Sequence, residues 1–167
     1  ACQTAPGGAL RRRSPGGRPW DTWRVVRRAP GILARRQRPA DRDRIAIMGG
    51  SYGKIGAAVL ATRAALHIGT GLVTAYVPKC GYEIMQISVP EAMTEVDSDY
   101  ELEFFNYKCK PTAIGIGIGM GTSTKSQEGL AAFLKNNKTQ LVIDADALNI
   151  LAMHKELLKL LPPKSIL

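Results

Sequence analysis

The stretch that most constrains this chain runs from Arg44 to Pro78: RIAIMGGSYGKIGAAVLATRAALHIGTGLVTAYVP. Arg44 to Gly50 is a short apolar run ending in glycines, which predicts a buried strand and a turn. Ile55 to Gly69 is apolar on most faces, with Arg63 and His67 four apart on a wetter one, which predicts a helix. Gly69 suits the left-handed residue at a helix C-terminus. Leu72 to Pro78 is a second strand, stopped by the proline. Two strands joined through a helix lie parallel, because a parallel pair needs a crossover connection.

The pattern continues downstream. Cys80 to Met93 predicts a short helix and then a loop at Pro90, and Val96 to Glu103 (VDSDYELE) is acidic and reads as surface. Ala113 to Gly121 (AIGIGIGMG) predicts a third strand running into glycines, and Ser126 to Asn137 an amphipathic helix. Gln140 to Ile143 is a fourth strand that turns through Asp144 and Asp146 into a helix closed at Pro162; Ser165 to Leu167 begins a fifth. Strand, glycine turn and helix in repetition define an α/β fold, a mostly parallel sheet with helices on both faces. Continuous apolar strands such as Leu141-Val142-Ile143 fit a sheet covered on both sides. Ligands of such sheets bind beyond the carboxyl ends of the strands, where the glycine turns and Asp144 fall.

Charge divides the chain in two. Formal net charge is +9. All of it sits in residues 1–44, which carry twelve Arg, three Asp and no Lys. Residues 45–167 are balanced and use Lys, ten to one Arg. The first segment is also rich in Ala, Pro and Gly, whose codons, like those of Arg, are GC-rich. Residues 1–43 are therefore expected to be disordered or foreign to the domain that starts at Arg44 and runs to Leu167. An organellar leader and a nucleic-acid arm, with Trp20 and Trp23 as stacking groups, are the alternatives. The domain itself is not expected to bind nucleic acid. Cys2, Cys80 and Cys109 show no metal spacing and fit a reducing compartment, so the expected location is cytoplasmic. No apolar run reaches the roughly 20 residues of a membrane span.

Three motifs carry chemistry. In GGSYGKIG, Gly49 to Gly56, backbone N–H groups and a helix N-terminus are placed to meet an anion. It fails the Walker A pattern and half-fits a dinucleotide fingerprint, as Gly50, Gly53, Gly56. No acid ends the second strand, where a Rossmann fold wants one. In GIGIGMGTS the alternate glycines 115, 117, 119 and 121 imply close approach of a ligand or of a neighbouring backbone. In VIDADALN, Asp144 ends the strand and is the functional candidate, while Asp146 is expected to cap the helix. His67 and His154 read as surface residues of helices. No catalytic triad and no metal set is present.

Taken together, GGSYGKIGAAVLATRAAL, GTGLVTAYVP, VPEAM, AIGIGIGMGT and LVIDADALNILA resemble the ADP- or ATP-dependent NAD(P)H-hydrate dehydratases, whose fold is ribokinase-like. The resemblance spans Arg44 to Leu167. It implies repair of hydrated NADH or NADPH (NADHX, NADPHX). ATP or ADP, with Mg2+, phosphorylates the hydroxyl added to the nicotinamide ring, and phosphate then leaves. It places Ala57 and Gly119 at the hydrate, with Gly50, Ser51, Gly56, Gly117 and Asp144 in the same cleft. It also implies a homo-oligomer and an NAD(P)HX epimerase, fused or separate, as partner.

Two departures qualify the resemblance. Gly117-Ile118-Gly119 stands where the family has Gly-Pro-Gly. The family's Thr-Pro-His-Pro segment, its Lys-Gly nucleotide loop and its Gly-Asp motif with the catalytic aspartate do not occur in these 167 residues. The expectation is a domain incomplete at its C-terminus, marginally stable, with no assignable catalytic residue and no turnover of its own. The alternatives are an NAD(P)-binding oxidoreductase domain and a sugar or vitamin kinase of the same fold.

Overall fold

The computed structural model describes residues 43–167. The reading of residues 1–43 falls, Asp43 apart, outside them. Five strands form one parallel sheet: β1 (Arg44–Met48), β2 (Leu72–Val77), β3 (Met93–Val96), β4 (Ala113–Ile116) and β5 (Gln140–Ile143). Their order across the sheet is β3-β2-β1-β4-β5. The order reverses at β1, so the ends of β1 and β4 flank the point where such sheets open a ligand crevice.

Three helices connect strands, α1 (Ile55–His67), α2 (Tyr82–Ser88) and α3 (Thr124–Asn136), and α4 (Ala145–Met153) follows β5. They lie on both faces. Ala46, Met48, Ile114, Ile116, Leu141 and Ile143 point to one face and meet Leu130, Phe133 and Leu134 of α3 and Ile150 of α4. The alternate residues Ile47, Val73, Ala75 and Val77 point to the other and meet α1 and Met85 of α2. Period-two alternation in β1 thus feeds two cores, each large buried side chain stabilising by about 2 kcal/mol.

Four expectations change. The third strand stops at Ile116, not Gly121, because Gly117, Gly119 and Gly121 all take positive φ. A strand cannot continue through such residues. Met93–Val96 pairs with β2 from Thr74 to Val77, a strand where a loop was expected. Val142 is 47% exposed, so β5 is covered on one face only. The fifth predicted strand is reduced to a single parallel bridge, Val142 to Ile166, and α4 ends at Met153, with a 3-10 turn over Lys155–Leu160 before Pro162.

Candidate functional site

The turn after β1 and the turn after β4 are laced together. The Gly50 amide donates to the Ile118 carbonyl at 2.7 Å, and the Ser51 hydroxyl to the Gly119 carbonyl at 2.8 Å. In return the Gly117 amide donates to the Met48 carbonyl at 3.1 Å. Gly119, at φ +63°, faces the first turn of α1: a Cβ there would lie 3.2 Å from Lys54 and 3.3 Å from Ala57. Ala57 and Gly119, paired by the sequence reading, are thus neighbours in space. Gly50 and Ser51 stand in the same clamp. Gly56 is exposed, with nothing within 4 Å of an added Cβ. Among the described residues, the amides of Ser51, Gly53 and Gly119 donate to no protein acceptor. Three amides without a protein acceptor, in the turns after β1 and β4, are donors of the kind an anion takes.

The turn after β5 closes the third side and corrects the roles of its two carboxylates. Asp144, not Asp146, caps α4: its side chain accepts from the Ala145 amide at 2.7 Å. Asp146 instead reaches back across the cleft. It accepts from the Gly121 amide at 2.9 Å and stands 3.8 Å from the Lys54 ammonium. Asp146 and Lys54, absent from the predicted set, therefore join the two glycine turns. The signal for Lys54 lay in its place inside the first glycine run. Gly117 is buried, and a Cβ there would strike the Asp144 carbonyl and lie 2.6 Å from the Ala147 side chain. A neighbouring backbone accounts for that glycine.

The acidic segment forms a wall and is not merely surface. Leu102 is fully buried and Phe105 nearly so. Asp97 accepts from the Tyr76 hydroxyl at 2.8 Å and from the Glu103 and Phe104 amides at 2.5 and 2.9 Å. One side chain so folds residues 97–104 back on themselves. Burial, and then Asp97, hold the Tyr76 phenol far above its ordinary range. The wall is tied to the first glycine turn by the Tyr52 amide, which donates to the Tyr100 carbonyl at 2.8 Å, and by an edge-to-face contact of the two rings.

The two histidines lie elsewhere. His67 is exposed at the end of α1. His154 is half-buried beside α3, with Nε2 at 2.8 Å from Gln127 Oε1. Cys80 and Cys109 are free thiols. Among the described residues no group of three or more His, Cys, Asp or Glu is placed to hold a metal, and no helix is long and apolar enough to cross a membrane.

The sequence profile of the NAD(P)H-hydrate dehydratases matches residues 45–167. The chain belongs to this family. Among solved structures it is similar to a ribokinase-like superfamily protein of Enterococcus faecalis, with 23% identity and a TM-score of 0.57 over 71% of this chain and 44% of that one. It is also similar to an ADP/ATP-dependent NAD(P)H-hydrate dehydratase of Bacillus subtilis, co-crystallised with ATP and Mg2+ and soaked with CoA. Identity there is 25% and the TM-score 0.54, over 67% of this chain and 41% of that one. The chain thus spans less than half the length of these solved relatives. No curated protein matches it. The ribokinase-like, parallel α/β fold is established by these likenesses. The oxidoreductase alternative is not favoured: β2 runs into Val77 and Pro78 with no acid at its end, and the family is a dehydratase.

Proposed function

We propose that residues 44–167 form a substrate-binding part of an NAD(P)H-hydrate dehydratase domain, acting on NADHX and NADPHX. The observation that carries this is the clamp, where Gly119 meets Ala57 and Lys54 beside three free amides. Absence of a side chain at Gly119 lets the turn after β4 approach Lys54 and Ala57 at the start of α1. Free amides and the Lys54 ammonium are suited to the pyrophosphate of a dinucleotide. They would equally hold a phosphate of ATP or ADP. When bound, that nucleotide supplies a phosphoryl group to the ring hydroxyl and so makes a good leaving group. Elimination of phosphate, with loss of the adjacent ring proton, restores the double bond.

The residues here do not fit a Mg2+ site of their own. Asp144 is engaged by the Ala145 amide, and Asp146 by the Gly121 amide and Lys54. A homo-oligomer and an NAD(P)HX epimerase as partner remain part of the proposal, as does a cytoplasmic location.

Titration of the chain with NADPH and NADPHX is the test. Saturable binding is expected, weakened at least tenfold by Gly119→Val, which drives a branched side chain against Lys54 and Ala57 and parts the two turns. Absence of binding to any pyridine dinucleotide would sink the proposal.

A further inference from the structure

Two tyrosines stand exposed where the wall meets the first glycine turn. Tyr52 is 74% and Tyr100 64% exposed. Their ring centroids are 5.6 Å apart and the planes stand at 82°. The Tyr52 amide pins the two backbones together, and Asp97 fixes the loop that carries Tyr100. The backbones of both residues are therefore held in place and the rings meet edge to face, while much of their area faces water. Rings carried on a fixed backbone lose less entropy when a flat ligand covers them. Tyr100 also lines a pocket of about 480 Å3 with Ser98, Asp99, Glu101, Glu103, Phe104 and Lys125. Lys125 is taken by Glu103 at 3.0 Å. Among the described residues the Asp99 carboxylate pairs with Lys79 alone, at 3.8 Å and exposed.

We propose that the Tyr52–Tyr100 pair and this pocket form an adenosine subsite, which rests on the dehydratase reading of the neighbouring clamp. The adenine of the dinucleotide, or of ATP, stacks on the tyrosines. Its amine and the ribose hydroxyls are donors that need acceptors, and Asp99 and Glu101 supply them. The same carboxylates repel phosphate, which is held instead at the other end by the free amides and Lys54. The hydrated nicotinamide ring suits the tyrosines less. Water added across its double bond leaves tetrahedral carbons, and a puckered ring stacks poorly.

The experiment titrates the 167-residue chain with NADH, ATP, ADP-ribose and reduced nicotinamide mononucleotide. ADP-ribose is expected to compete with NADH, and the mononucleotide, lacking adenosine, far less. Tyr100→Ala and Tyr52→Ala should each weaken the adenosine ligand about tenfold or more, while Tyr100→Phe and Tyr52→Phe keep the ring and stay within about twofold. Loss confined to NADH assigns the subsite to the dinucleotide; loss confined to ATP assigns it to the nucleotide. The inference falls if both alanine variants bind NADH and ATP like the parent chain. It also falls if the mononucleotide competes as well as ADP-ribose, a comparison that needs no variant. In both cases the parent chain still binds NADH and the dehydratase reading stands. A parent chain that binds none of the four overturns both.

Discussion

The two glycine turns look alike in sequence but use glycine for different reasons. In the first, an added Cβ meets nothing within 4 Å at Gly53 or Gly56. Gly53 is there for its backbone, at φ +82°. In the second, Gly117 and Gly119 face other parts of the chain at contact distance. Gly117 has both a positive φ and no room. The tip of the first turn, at Gly53 and Gly56, is thus open to solvent, while its base is packed, since a Cβ at Gly49 would strike the Ile118 carbonyl; in the second turn Gly117 and Gly119 are packed and Gly121 is open. Glycine count alone does not distinguish a turn that needs a conformation from one that needs space.

The largest effect expected from that contrast is at Gly117. Gly117→Ala must hold φ near +114° and push a methyl into the Asp144 carbonyl and the Ala147 side chain. A cost of about 3 kcal/mol or more is expected, with loss of the folded signal in a urea titration. A cost below about 1 kcal/mol would mean that the turn after β5 is not packed as described.

Beneath the first turn the expected effect is smaller and depends on pH. The Gly49 amide bonds the Tyr76 carbonyl, and the Tyr76 hydroxyl bonds Asp97. Burial, then Asp97, raises the phenol in the folded chain. Its stabilising contribution is therefore complete below about pH 10, where an unfolded tyrosine is still protonated. Above that the unfolded chain ionises and the folded chain does not, so stability falls as pH rises. Tyr76→Phe should cost about 2 kcal/mol at neutral pH, since Asp97 loses a buried donor. It should also flatten the alkaline slope. Thermal melts of both chains from pH 8.5 to 11 measure this; parallel slopes would refute it.

At Gly119 the stability cost should be about 1 to 2 kcal/mol, from the positive φ and the tight contacts at 3.2–3.3 Å. Here the informative quantity is binding. Gly119→Ala should weaken NADPH several-fold more than its effect on the urea midpoint explains. If stability and binding fall together, Gly119 is a packing residue like Gly117, and the contrast between the two turns is one of degree.

How much of this was legible in the sequence follows from the range of the signals. Strands β1, β2 and β5 and helices α1 and α3 are set by local apolar period, and their bounds were read within a few residues. β3 was missed because Met93-Thr94-Glu95-Val96 is an edge strand with only partial burial on either face, so no apolar run marks it. The over-long third strand came from Ile-Gly alternation, which mimics a strand period while the glycines turn the chain. Exchange of Asp144 and Asp146 reflects a two-residue uncertainty in where α4 begins: the cap is decided by which carboxylate sits at the first turn. Pairing of Ala57 with Gly119 was implied by the family resemblance alone. The Tyr52–Tyr100 contact, across 48 residues of chain, had no local signal at all.

Gly56 separates conformation from ligand at the open turn. It lies in the first turn of α1, exposed, and an added Cβ touches nothing. Replacing it with alanine removes backbone freedom from the unfolded chain and improves helix propensity. Gly56→Ala should therefore stabilise the chain by about 0.5 kcal/mol, a small rise in the urea midpoint. The same methyl would project where a dinucleotide is proposed to lie against the start of the helix. A chain that is more stable and binds NADPH more weakly would show that Gly56 is glycine for the ligand. A chain that is more stable and binds as before would remove Gly56 from the site and leave Gly50, Ser51, Ala57 and Gly119 to form it. A chain that is less stable would mean that the first turn, like the second, is packed against something, and the contrast between the two turns would fail at its open end.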